Sequence, residues 1–269
     1  MEERPLEKND RRDFLKLTAL ATGAALLPLR AHAQSGAVTR PALPGNDPRW
    51  GKTWDAALAV LAGNVKTVPR YDHPVLMEGS VYPGIWQECG PHEGLVYGTL
   101  AGYVATADGA PTPLQIARNN HMAFFALQRP VGHESAGQLP AAIKMSDVGY
   151  GQIQMVVPIA ATAWELSQLT GDDELLVTAY TACSRWDAWL REYRDTRKTG
   201  LVEGFCTYDT GHDNSPRWAG IPNRCPDGDA RKCPPIATMP RLCPDLSATV
   251  FGARMALADM ATALGKGDE

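Results

Sequence analysis

The stretch DDELLVTAYTACSRWDAWLREYRD, residues 172–195, constrains the fold more than any other part of the chain. Leu175, Leu176, Ala179, Tyr180, Cys183, Trp186, Leu190 and Tyr193 recur at steps of three and four. That spacing draws one apolar stripe down an α-helix, and such a stripe must be buried against another element. Asp172, just after Gly171, is placed to cap the first turn. Trp186 and Trp189 read as the stripe and its flank, so they are expected in the core.

Other segments carry the same period. A short helix is expected near Trp54 to Leu61, and a longer one over TPLQIARNNHMAFFALQ, where His121 lies among apolar neighbours and reads as structural. GQIQMVVPIAATAWELSQL predicts a helix from Pro158, because proline suits a first helical turn. A last helix is expected from Asp245 to Leu264. No segment alternates with period two for long, so the predicted class is all-α. WELSQLTGDDELL also resembles ADMATALGKGDE at the end of the sequence. Each is a helix that runs out at a glycine before an acidic cluster. Repeated helix pairs bury their stripes against one another, and the second copy stops where its partner helix is expected to begin. The expectation is therefore of a helix-pair array truncated at residue 269.

The chain carries 26 Lys and Arg against 30 Asp and Glu, a formal charge of −4, with 44% hydrophobic residues. Nothing in that balance attracts nucleic acid or grips an anionic membrane. The first 33 residues form their own unit. Arg11-Arg12, then Phe14-Leu15-Lys16, an apolar run from Leu17 to Leu29, and Ala31-His32-Ala33 resemble a bacterial twin-arginine export signal. A run of about 13 residues is short of the roughly 20 that span a bilayer. The expected partner is the twin-arginine translocase during export, with no stable membrane insertion, and the expected location is periplasmic or secreted.

Residues 34–80 read as a loop-rich lead-in and 81–269 as the main domain, with a Cys/Pro-rich loop at 221–245 (IPNRCPDGDARKCPPIATMPRLCPD). All six cysteines, 89, 183, 206, 225, 233 and 243, lie beyond the signal. An even count bound for an oxidising compartment predicts disulfides of open pairing. The spacings lack the short C-x-x-C of a zinc site, and no metal is expected.

YDTGHDNSPRW, Tyr208 to Trp218, concentrates chemistry in a segment too rich in turn formers for helix or strand. Gly211 permits a tight turn, Pro216 stiffens the exit, and Asp213 is projected between them. Arg217 offers a forked donor and Trp218 a flat face for a sugar ring. Asp209 reads either as a charge that raises the pKa of Asp213 or as the orienter of the loop. Glu203 and Glu165 read as surface residues by default.

TGHDNSPRW resembles the G-x-D-(D/N)-x-P-R signature of glycoside hydrolases built as six-fold α/α toroids. These include glycoside hydrolase family 63 α-glucosidases, mannosylglycerate hydrolases and, more distantly, trehalases. YPGIW, ARNNHMAFFALQRPVGHESAGQLPAAI and GYGQIQMVVPIAATAWELSQLTGD extend the likeness over about Tyr82 to Glu269. The resemblance implies a partial α/α toroid, a carbohydrate substrate and no cofactor. It implies Asp213 as the general acid of an inverting enzyme on α-glucosides or related small glycosides. It places Gln154, Asn214, Arg217 and Trp218 around the sugar, with Trp86 and Glu88 where the family carries Trp-Asp. The partner base is a glutamate of the toroid's second half, outside these 269 residues. The alternative is a truncated, non-catalytic carbohydrate-binding remnant.

Overall fold

The computed structural model divides into two units, Met1–Gly36 and Ala37–Glu269. It describes residues 40–41, 47–79 and 81–267, all in the second unit. The expected export signal lies outside the described residues. No described helix is long and apolar enough to cross a membrane.

Helices dominate. The order is α1 (Pro48–Gly63), β1 (Val65–Val68), β2 (Tyr71–Leu76), β3 (Gly84–Trp86), α2 (Gly90–Thr99), α3 (Pro113–Ala126), β4 (Ala142–Lys144) and β5 (Val148–Gly149). Then come α4 (Ile159–Thr170), α5 (Asp173–Tyr193), β6 (Glu203–Gly204), β7 (Arg241–Leu242) and α6 (Pro244–Ala263). The chain is helix-rich, as the all-α expectation has it in its coarser form, with a few short strands added. Among the described residues they form three small antiparallel sheets, β1-β2, β3-β4-β5 and β6-β7. None of these strands exceeds six residues, too short for a period of two to stand out.

The helix ends follow local chemistry. Thr112 and Gln115 make a reciprocal capping box on α3. The Asp172 carboxylate accepts from Leu175 N–H at 2.8 Å on α5, and Gly171 closes α4 in the left-handed conformation. The helix α2, for which no helix was expected, packs on α3 because Gly94 has no side chain. A Cβ there would lie 2.7 Å from that of Asn120. Asn120, fully buried, donates to the carbonyls of Leu76 and Gly90 and accepts from Leu76 N–H. One amide thus ties β2, α2 and α3 together.

The helices α4, α5 and α6 pack mutually, and their stripes make the main core with α3: Phe124, Leu166, Leu175, Trp186, Trp189 and Met260. Trp186 and Trp189 stack with centroids 5.0 Å apart. His121 is buried as expected, with Nδ1 at 2.8 Å from the Ala117 carbonyl and Nε2 at 2.9 Å from the Thr162 hydroxyl. Burial drives its pKa down to about 4, so the ring is neutral. All six cysteines are thiols in the structure, without the expected cross-links.

Candidate active site

The site is built on the exit of α5. Arg194, its C-terminal cap, is completely buried. It donates to the carbonyls of Ala230 (2.9 Å) and Glu203 (3.2 Å), and to both carboxylate oxygens of Asp209 (2.6 and 3.3 Å). The cation also faces the Phe205 ring at 4.1 Å and lies at the negative end of the helix dipole. Asp209 in turn accepts from the N–H groups of Ile153, Phe205 and Cys206. Burial opposes its charge, but Arg194 and these donors outweigh burial and hold the carboxyl below its usual range. Of the two readings of Asp209, the structure supports the orienter. Glu203 corrects its surface reading: it is fully buried and accepts from Thr196 N–H and hydroxyl at 2.8 and 2.6 Å.

Above this hub the chain turns at Gly211, whose φ is +66°. A Cβ there would stand 2.7 Å from Val156 Cγ2 and 2.9 Å from Glu88 Oε2. Glycine is therefore required twice, for its dihedral and for its size. The turn closes with Ser215 N–H to the His212 carbonyl at 2.9 Å. It leaves His212, Asp213 and Asn214 exposed at the tip. Desolvation raises the Asp213 carboxyl despite its own backbone N–H and the nearby His212.

Three segments meet here. Glu88, half-buried between β3 and α2, abuts Gly211, and the nearby Gln154 side chain favours its charged form. Gln154 is buried, stands at φ +46° and accepts from Gln152 Nε2 at 2.9 Å. Burial raises Glu88, and the charges of Asp213 and Glu93 raise it further.

Arg217 points to α6, where it grips both oxygens of Asp245 and approaches His212 Nδ1 at 3.3 Å. Its Nε is buried without a hydrogen-bond partner. Trp218 departs from the stacking expectation. It is 2% exposed, its indole N–H donates to Thr210 Oγ1 at 3.3 Å, and Arg217 and Arg241 lie over its ring at 5.3 and 5.7 Å. A short loop over a tight glycine turn needs a filler beneath it, and the indole serves. Trp86 ends β3 half-buried, its ring edge-on to Tyr82 at 5.7 Å.

Sequence reading passed over Glu78. Its Oε1 accepts from Trp86 N–H at 3.2 Å and the Cys89 thiol at 2.8 Å. Burial, aided by the charges of Glu93 and Glu88, lifts its carboxyl to about 7. Only its nearness to Glu88 in space marks it, and no spacing rule reveals that. Asp213 lines neither of two hollows among the described residues. One, of about 780 Å³, includes Arg118, Asp172 and Glu174 at the opposite end of α5. The other, of about 20 Å³, lies between α4, α5 and α6.

Residues 118–269 match the family of the mannosylglycerate hydrolase MGH1-like glycoside hydrolase domain. The chain belongs to that family. Two solved structures from Thermus thermophilus are similar. An uncharacterized conserved protein is 20% identical with a TM-score of 0.43, over 61% of this chain and 40% of that one. A GH63 mannosylglycerate hydrolase in complex with glucose is 17% identical with a TM-score of 0.42, over 78% of this chain and 50% of that one. The chain thus spans half or less of the length of either. No curated protein matches it. The MGH1-like match contains Gln154 and the whole Gly211–Trp218 loop, whereas Trp86 and Glu88 precede it.

Proposed function

We propose that the protein is an exported, inverting glycoside hydrolase acting on α-glucosides or related small glycosides, with Asp213 as general acid. One observation carries the reading: in a chain of the MGH1-like family, Asp213 stands on a turn pinned by Gly211 beside a second carboxyl, Glu88. Cleaving a glycosidic bond needs a proton for the departing oxygen, so the donor must stay protonated near neutral pH. Desolvation of Asp213 acts in that direction. Asp213 hands its proton to the leaving oxygen while a base across the sugar ring, about 6.5–9.5 Å away, activates water for attack at the anomeric carbon. The family resemblance assigns that base to a glutamate of the toroid's second half.

Glu88, Gln154 and Asn214 orient sugar hydroxyls, and Trp86 supplies apolar surface. Arg217 holds the loop to α6, and Trp218 supports it from below. The twin-arginine pair Arg11-Arg12 directs export to the periplasm or beyond, through the translocase and without an anchor in the membrane.

Anomer-resolved proton NMR of the purified protein with α-glucosides and mannosylglycerate tests the reading. Turnover lost in Asp213→Asn supports the enzyme. Sugar binding without turnover assigns the chain a non-catalytic, carbohydrate-holding role. Neither binding nor turnover contradicts both.

A further inference from the structure

We propose that Cys206 and Cys225 form a redox-active pair whose oxidation to a disulfide closes the segment bearing Asp213 into a covalent loop. Cys206 leads the 3-10 turn Thr207–Asp209, and Cys225 lies in the Cys/Pro-rich loop. They are 0% and 3% exposed, and their Sγ atoms lie within 4.8 Å of one another. The Cys225 sulfur accepts from Arg194 at 3.6 Å.

The two backbones are already aligned. Thr207 N–H donates to the Pro222 carbonyl at 3.0 Å and Tyr208 N–H to that of Asn223 at 3.2 Å. Cys225 N–H reaches the Gly151 carbonyl at 3.3 Å. Forming an S–S bond of about 2.05 Å then needs only a short closure of two side chains. The sulfurs share a small apolar cluster with Phe205, flanked by Tyr208 and Cys233.

A cation does not fit between them. The third potential ligand, Asp209, already accepts from three backbone N–H groups and from Arg194, and the guanidinium puts a positive charge at the same spot. The oxidant is a disulfide of another molecule, either a small-molecule disulfide or a protein thiol oxidase. A thiolate of the pair attacks that disulfide, a mixed disulfide forms, and one partner thiol leaves. The second cysteine, as thiolate, then attacks the mixed disulfide and expels the other. Two electrons and two protons pass from Cys206 and Cys225 to the partner, and the link encloses Asp213, Arg217 and Trp218.

Buried thiols react slowly in place, so the test lets the pair choose during folding. Reduced, urea-unfolded protein is diluted into oxidised and reduced glutathione, then acid-quenched, alkylated in denaturant and mapped by mass spectrometry. The expected product contains a Cys206–Cys225 peptide pair, about 2 Da below the sum of its thiols because two hydrogens leave. The melting midpoint of oxidised protein lies about 6–12 °C above that of reduced protein. Cys206→Ser/Cys225→Ser folds and loses this redox-dependent shift. Both cysteines alkylated after oxidative refolding, or either paired instead with Cys233, overturns the proposal, as does zinc retained by the pair on refolding with zinc chloride. None of these readings depends on glycosidase activity.

Discussion

The Arg194 guanidinium and the Asp209 carboxylate form an ion pair at 2.6 Å with both side chains wholly shielded from water. The pair joins the end of α5, the segment around Ile153 and the loop that leads to Asp213. Breaking a buried pair from one side leaves the other charge uncompensated, which costs about 3–5 kcal/mol. Asp209→Asn is therefore expected to lower stability by that amount in urea unfolding, far more than a turn residue would.

His121 sets a pH limit. Its folded pKa of about 4 lies below the ordinary value of 6.5. Its contribution is fully present above pH 6.5 and is lost as pH falls toward 4, because the unfolded chain takes up a proton that the core refuses. The loss across that window is roughly 3 kcal/mol. An imidazole that remains neutral at about pH 5 in NMR spectra of the folded protein is the expected signature.

Glu78 works in the opposite direction. Its carboxyl is lifted to about 7, so its contribution is complete below the ordinary value of 4.5 and is lost as pH rises through 7. Glu78→Gln keeps an acceptor for Trp86 N–H and the Cys89 thiol. The variant is expected to gain stability at about pH 8 relative to wild type and to match it near about pH 4. Urea midpoints across that range should then show the slope of His121 more steeply.

The fold was legible where period and caps agreed. Residues 172–195 became α5 with Asp172 as its cap, and Pro158 opens α4. It was less legible where order depends on distant partners. The helix α2 is held by Asn120 across the fold, and β3 by pairing of Ile85 with Ile143. Neither leaves a periodic mark in its own few residues. At the site, the turn residues of TGHDNSPRW announced a constrained loop, and Gly211 bears that out. Burial was hidden. Glu203 and Trp218 look like surface chemistry in sequence, yet one is shielded and hydrogen-bonded to Thr196 and the other fills the space under the loop.

Gly211 gives a separate handle on the turn. In Gly211→Ala the new methyl group meets Val156 and the Glu88 carboxylate at a dihedral that L-residues disfavour. A loss of about 1–3 kcal/mol is expected, together with altered chemical shifts at His212, Asp213 and Asn214. Wild-type stability and unchanged loop resonances would mean that the turn is not fixed in this way.

Anomer-resolved proton NMR of α-glucoside hydrolysis by protein that carries the family's partner base, as wild type and as Asp213→Asn, tests the central claim most directly. Asp213 is exposed, so its replacement leaves the fold intact. The account predicts sugar released with inverted configuration by wild type, and a rate at least about 10²-fold lower in the variant, the scale on which a general acid acts. Hydrolysis by Asp213→Asn at the wild-type rate, or release with retained configuration, would contradict it.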